Sequence, residues 1–407
     1  PYIEIMSFRI IRTEKDIDFY YYAKEIEINR NRFKTPIVLK HKSIPNLNIQ
    51  SIHRNEIYEI WKSFRVNEIQ NVLSNATDSR NFINKISTEI NSITRNQPKS
   101  YFLAIKNFQN NPLNFFSDQL IEFLIDSVYL HTDIISLPII RRIEDFITNV
   151  NLRDQYITFI ENCLQIANTL NNKPIMAVIP PLAPAYIPPL VEAYLNLDIN
   201  IFCFDFSGSS LSTYYPLYFQ LLRTIYRYDR GTFEEKVKYI INLKTPVNRN
   251  RYMPFPAEDM MTPALAVDLI GFNHLSGGSR PRTQSTVRSR TSRRRSSPSN
   301  TNLLNVDSYF YHRIANMNEF NNIFQNPLIQ PMFNNFSTAT LNERNDFRRK
   351  FNYFNMNTDL LQFHNRIINN NPIQNDLRNK SGIAYDLNSK TSVLDIYLNN
   401  TSITQFF

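Results

Sequence analysis

Pro174-Ile-Met-Ala-Val-Ile179, Ile199-Asn-Ile-Phe-Cys-Phe-Asp205 and Lys238-Tyr-Ile-Ile-Asn-Leu243 are short apolar runs, each separated from the next by a stretch of helical spacing. Another, Asp268-Leu-Ile-Gly-Phe-Asn-His274, follows the helical segment Ala257–Val267. A strand with one wet face alternates polar and apolar residues. A run that is apolar at nearly every position belongs to a strand covered on both sides, as in a parallel sheet flanked by helices. The repeated order of run, helix and run predicts an α/β fold, a (β/α)8 TIM-barrel-like domain. In such barrels reacting groups stand where strands end, which puts Asp205, Asn273 and His274 first among the candidates for chemistry.

Upstream, Tyr2–Arg12 is rich in Ile and Phe and reads as a strand. Phe33-Lys-Thr-Pro-Ile-Val-Leu-Lys-His41 is a clearer one, with Pro36 tolerable near its start and His41 at its end. Ile57–Val72 carries apolar residues at Ile57, Ile60, Trp61, Phe64, Val66 and Ile69, a spacing that predicts a helix. Tyr101-Phe-Leu-Ala-Ile-Lys-Asn107 predicts a strand ending in polar groups, Phe116–Tyr129 a helix, Thr132–Leu137 a strand and Leu152–Leu170 a long amphipathic helix. Counted from Thr35, seven strand runs precede residue 276, and an eighth is expected at Leu303–Tyr311; the alternative is a separate domain starting near Thr301. The expected organisation is a barrel with N-terminal strands over 1–275, a basic insertion or linker over 276–302, and the last barrel unit with a C-terminal α-rich extension over 303–407.

The net charge of +9 is concentrated in one place. Arg280, Arg282, Arg288, Arg290, Arg293, Arg294 and Arg295 stand among Ser, Thr, Pro and Gln with no acid between them. Such a segment cannot bury enough apolar surface to offset the entropy of ordering it, so a disordered loop is expected over Ser276–Asn300. Arginines placed near phosphates release condensed counterions, which makes the segment a candidate arm for tRNA or DNA; the alternative is a solvated spacer.

At 407 residues and 42% hydrophobic content the chain can bury a large core, and it exceeds the roughly 250 residues of a plain barrel. No apolar stretch approaches the roughly 20 residues that cross a bilayer, and no basic-then-apolar leader opens the sequence, so no membrane partner is expected. Cys163 and Cys203, the two cysteines, fall in a helical pattern and an apolar run, where reduced buried thiols and a cytoplasmic setting are expected.

Lys34-Thr-Pro-Ile-Val-Leu39 and the late Pro256-Ala-Glu-Asp-Met-Met-Thr-Pro-Ala-Leu-Ala-Val-Asp-Leu-Ile-Gly-Phe272, on either side of a barrel-like middle, resemble the tRNA-guanine transglycosylase superfamily. The resemblance implies exchange of guanine for a 7-deazaguanine base in tRNA or DNA. A strand-end aspartate attacks the ribose C1′, and further aspartates recognise the base and move protons. Laying Val267-Asp268-Leu-Ile on the family's late strand puts the nucleophile position at Gly271, with Asp268 matching an aspartate at the strand entrance. Asp133-Ile-Ile-Ser-Leu-Pro138 resembles the strand that ends in a recognition aspartate, and has Pro138 there. The family's zinc site needs three clustered cysteines and a histidine near the C-terminus; those ligands are missing, so no metal or cofactor is expected.

Among the residues themselves, Asp205 precedes the small-residue loop Phe206-Ser-Gly-Ser-Ser210, whose amides can approach a phosphate or base. As the available strand-end carboxylate it is the candidate catalytic group, with His274 as acid or base; helix or turn capping is the plain alternative. Asn273, His41, Asn107 and Ser207 are candidates for substrate binding, each with a loop-stabilising alternative. Asp133, Glu258 and Asp259 read as strand- or helix-end residues. The function expected is a divergent base-exchange transglycosylase, the alternatives being a non-catalytic nucleic-acid-binding barrel or a barrel enzyme for an unrelated small molecule.

Overall fold

The structure, a computed structural model, describes residues 8–44, 56–91, 93, 97–169, 173–245, 253–275, 301–325 and 327–399. It opens with an antiparallel sheet of β1 (Phe8–Lys15), β2 (Tyr22–Ile28) and β3 (Asn31–Thr35). The two residues joining β2 to β3, Asn29 and Arg30, take positive φ of 51° and 66°, as a tight hairpin matching strand twist requires. Then come β4 (Ile37–Val38), β5 (Lys40–His41), β6 (Tyr58–Arg65), β7 (Lys99–Lys106), β8 (Ile134–Ser136), β9 (Ile139–Ile140), β10 (Ile175–Ile179), β11 (Ile201–Asp205), β12 (Val237–Ile241), β13 (Phe255–Pro256) and β14 (Leu269–Ile270).

All but β13 of this second group join one parallel sheet in the order β4-β14-β12-β11-β10-β8-β7-β6-β5, with β9 beside β7. The two ends of that order are neighbours in the chain. Ile37 and Leu39 donate backbone N–H groups to Asp268 O and Ile270 O at 3.0 and 2.8 Å, while Lys40 donates to Ile57 O at 2.8 Å. The sheet therefore curls into a nearly closed parallel β-barrel compatible with the TIM-like form. Helices α1 (Val66–Ile69), α2 (Ala76–Ile90), α3 (Asp118–Tyr129), α4 (Val150–Thr169), α5 (Ile187–Leu195) and α6 (Leu211–Tyr228) alternate with its strands. Asn75 and Ser117 start α2 and α3 by accepting N–H groups of the first turn.

Side chains alternate as the pleat demands. Phe102, Ala104, Met176, Val178, Cys203 and Tyr239 fill the interior, while Ala177, Ile179, Phe202, Phe204 and Ile240 face the surrounding helices. Both faces are apolar, which is why these strands read as continuous runs. Ile26, Ile28 and Phe33 of the N-terminal sheet pack against the interior cluster where the barrel strands begin. That end is plugged. Lys24, fully buried, donates to Asp268 Oδ2 at 2.8 Å and to Lys236 O at 2.7 Å, and the Lys238 backbone N–H donates to the same carboxylate oxygen at 2.8 Å. Burial, with Lys24 alongside, holds the Lys238 ammonium well below the ordinary lysine range.

Two expectations are corrected. Ile57–Val72, read as a helix, is strand β6 over Tyr58–Arg65 and helical only over Val66–Ile69, with Tyr58, Ile60 and Phe64 outward under α2 and α3 and Trp61 inward. Leu303–Tyr311 is not a barrel strand. It straddles the antiparallel hairpin of β15 (Thr301–Asn305) and β16 (Phe310–Ile314), which pairs with β13 in a separate sheet. Its polar middle is the turn, where Asn305 Oδ1 accepts the Asp307 N–H at 2.8 Å. The late helical segment Ala257–Val267 is a 3-10 stretch, Glu258–Ala264, containing Pro263. Residues 276–300, with all seven arginines of the basic segment, lie outside the described residues.

The C-terminal part is helical: α7 (Met317–Ile323), α8 (Leu341–Ile368), α9 (Gln374–Asn379) and α10 (Ala384–Asn399). Thr340 and Glu343 form a capping box at the start of α8. That helix lies along β2, β3 and β4, and Asn357 on it bonds both polar groups of Val38, accepting its N–H at 2.9 Å and donating to its carbonyl at 3.2 Å. No helix among the described residues is long and apolar enough to cross a membrane. Both cysteines are free, buried thiols held above the ordinary range by burial.

Candidate functional site

Where β5, β14, β12 and β11 finish they deliver His41, His274, Asn242 and Asp205, and Glu59, from the start of β6, reaches the same level because the register pairs it with His41. Glu59 points inward from β6 and is fully buried. It accepts the Phe272 N–H at 2.8 Å, the Tyr239 hydroxyl and His274 Nε2. A buried carboxylate surrounded by donors is the arrangement that offsets desolvation. Room for it exists because residue 271 is glycine: a Cβ there would lie 2.1 Å from Glu59 Oε2 and 2.9 Å from Ile241 Cγ2.

The His274 ring is fixed from several sides. It stacks on Trp61, with centroids 5.1 Å apart and planes within 7°, and tilts against His41 at 5.9 Å. Its side chain is 7% exposed. With Nε2 against Glu59 Oε1 and Nδ1 on the other side of the ring, His274 is an oriented acid–base group.

Asn242 links this pair to Asp205. Asn242 Oδ1 accepts the His274 backbone N–H at 2.9 Å, and its Nδ2 donates to Asp205 Oδ1 at 2.9 Å; the Ser207 N–H reaches the same oxygen at 2.8 Å. Asn242 and Ser207 hold positive φ of 56° and 48°, a conformation that non-glycine residues adopt where the surroundings enforce it. Burial pushes the Asp205 carboxyl above the ordinary aspartate range, against the pull of Asn242, the Ser207 amide, Arg141 and His274. Glu144 is raised too, first by burial and further by the nearby Asp205 charge. Its Oε1 accepts the Ser207 hydroxyl at 3.4 Å. Arg141, Glu144, Asp205 and Ser207 line a cavity of about 20 Å³, room for a single water.

Of the residues expected from sequence, the structure brings Asp205, His274, His41 and Ser207 together. Asn273 is adjacent but exposed, its Oδ1 accepting the Leu275 N–H at 3.0 Å in a local turn. Asn107 stands on the same rim after β7, apart from the cluster, and lines a separate cleft. Glu59, Trp61, Tyr239, Asn242, Arg141 and Glu144 were not legible as site residues. The signal for Glu59 is period-two spacing, since Glu59, Trp61 and Ser63 share the face opposite Tyr58, Ile60 and Phe64. Asp133 and Asp259 are structural. Asp133 accepts the Lys99 N–H at 2.8 Å at a strand start, and Asp259 takes the Tyr311 hydroxyl at 2.6 Å. Cys163 and Cys203 sit buried on α4 and β11, and no group of three or more His, Cys, Asp and Glu converges among the described residues.

Burial, reinforced by His274, depresses His41 from 6.5 to about 4. Its Nδ1 accepts the Ser43 N–H at 3.2 Å and lies 2.7 Å from the Ser43 hydroxyl. Between these two pH values the unfolded chain binds a proton that the folded chain does not, so stability falls as pH drops through the window. The loss at its acid end is up to about 3 kcal/mol. Urea unfolding at pH 7 and pH 4.5 is expected to show this loss, and His41→Asn to reduce it; an identical pH dependence in the variant refutes the assignment.

Comparison with known proteins finds no family model that matches the chain and no curated protein similar to it.

Proposed function

We propose that the mouth of the barrel acts on the glycosidic bond of a nucleoside unit, exchanging guanine for a 7-deazaguanine base in tRNA or DNA, on a (β/α)8 scaffold. Taking 37–41 as one strand broken at Leu39, and 134–140 as one broken at Leu137 and Pro138, gives the eight strands of that form. The observation that carries the reading is the chain of contacts from Asp205 through Asn242 to His274, at the ends of β11, β12 and β14, and on to Glu59 at the start of β6. A carboxylate with one oxygen occupied by two donors and an imidazole backed by a second carboxylate are the groups that glycosyl transfer uses.

In this reading the Asp205 carboxylate bonds to C1′ as the bond from C1′ to the base breaks, its electron pair leaving on the base nitrogen. Imidazolium His274, held by Glu59, supplies the proton the departing base takes. The incoming base returns that proton to His274 and displaces Asp205 from C1′. Further support comes from Gly271, the position that the family resemblance gives to the nucleophile. A carboxylate from β6 occupies the volume of the side chain missing there. The test is incorporation of isotopically labelled guanine into tRNA and into DNA by the full chain. Label in either polymer is the expected result; none in both, with the protein folded, overturns the exchange reading.

A second reading, binding of nucleic acid without chemistry, is favoured by the seven arginines between 280 and 295. If they contact phosphates, each contact steepens the log–log dependence of affinity on salt by roughly 0.7 to 0.9. Deleting Ser279–Ser297 is expected to weaken binding to tRNA and duplex DNA across a salt series, to flatten that slope and to leave thermal stability unchanged. Equal slopes for both proteins make the segment a spacer.

A further inference from the structure

The ends of β6 and β7 carry a second concavity that the glycosidic chemistry does not use. It has a volume of about 640 Å³, and Arg65 and Asn107 stand where these paired strands finish. Amides line it: Asn67, Gln70, Asn107, Gln109, Asn110 and Asn114. Among the described residues none of these six side chains has a hydrogen-bond partner, whereas the neighbouring Asn111 spends its Oδ1 on the Leu113 N–H at 3.1 Å. Phe108 and Phe115, half-buried and packed edge to face at 5.8 Å, supply apolar wall. Arg65 is the one charged residue of the lining; beside it, outside the lining, Glu68 takes the Arg65 backbone N–H at 2.8 Å.

We propose that this cleft is a nucleotide subsite for the single-stranded polymer whose target unit lies in the barrel mouth. Each amide offers a donor and an acceptor, the pairing that base edges present, and an aromatic wall accepts a base face. Arg65 provides the fork that a phosphate needs, and the Glu68 carboxylate beside it is engaged by the Arg65 backbone N–H and Lys85. A sugar chain would use the amides and the rings but leave the guanidinium without a counterpart. Asn107 holds a φ of 68°, so the loop after β7 turns sharply over the cleft in a conformation its surroundings must enforce. The inference rests on the nucleic-acid reading of the mouth for the polymer, and on the cleft alone for the nucleotide.

The test uses the full chain and fluorescein-labelled trinucleotides of RNA and DNA, with maltotriose as the uncharged comparison. Arg65→Ala and the double variant Asn107→Ala/Asn110→Ala are each expected to weaken trinucleotide binding about tenfold, the scale of a lost charge-assisted hydrogen bond. Unchanged trinucleotide affinity in both cleft variants overturns the subsite, as does maltotriose competing equally well. Loss of labelled-guanine exchange with cleft binding intact counts against the mouth chemistry and leaves the subsite standing, so the two readings fail separately.

Discussion

Asp205→Asn is expected to reduce base exchange by roughly 10³-fold or more, the scale at which loss of a nucleophile registers, with the thermal unfolding midpoint nearly unchanged. The amide keeps the carboxylate's shape and can still accept from Asn242 Nδ2 and the Ser207 N–H through its carbonyl oxygen. What it lacks is nucleophilicity and basicity. Glu59→Gln probes the other end of the chain of contacts and is expected to cost about 10²-fold, because a neutral amide no longer stabilises the imidazolium of His274. Single-turnover exchange with the labelled base separates the two: unaltered rates in Asp205→Asn remove that residue from the chemistry, whatever Glu59→Gln does.

At the opposite end of the barrel the largest loss of stability is expected from Asp268→Ala. Lys24 and Lys238 are both fully buried there, and the Asp268 carboxylate takes the Lys24 ammonium and the Lys238 backbone N–H on one oxygen. Removing it leaves Lys24 charged in a closed interior, a change that costs about 3–5 kcal/mol. The double variant Lys24→Met/Asp268→Leu removes charge and countercharge together and is expected to recover most of that loss, because buried pairs gain little over apolar packing of the same volume. Urea midpoints for the single and double variants decide it. A double variant as unstable as Asp268→Ala shows that the cluster acts through shape rather than charge.

The two ends of the barrel differ in how they appear in the sequence. Strands β10, β11 and β12 are legible because both their faces are apolar, and Asp205, His41 and His274 are legible because each ends or follows such a run. β6 is concealed for the reason that makes it useful. Its inward face carries Glu59, Trp61 and Ser63, so the run loses the continuous apolar character that marks a covered strand, and its remaining hydrophobes fall at helix-like intervals. Asn242 is hidden inside the run Lys238–Leu243, where one polar residue looks like a break in a strand. The hairpin at Thr301–Ile314 imitated a barrel strand because Leu303, Leu304, Tyr309 and Tyr311 are all buried, although its polar turn gives the two antiparallel halves away.

The clasp of α8 on Val38 bears on how the barrel forms during synthesis. β4, β5 and β14 each contribute two residues to the sheet, so the stave that joins the first strand to the last is its thinnest part. Asn357 satisfies the Val38 N–H and carbonyl, and His364 Nδ1 contacts Thr35 O at 2.8 Å. A ribosome delivers these two side chains well after the last barrel strand has emerged. Until then Val38 has no Asn357 to occupy its polar groups, so a chain ending ahead of α8 lacks that support at the two-residue seam between β4 and β14.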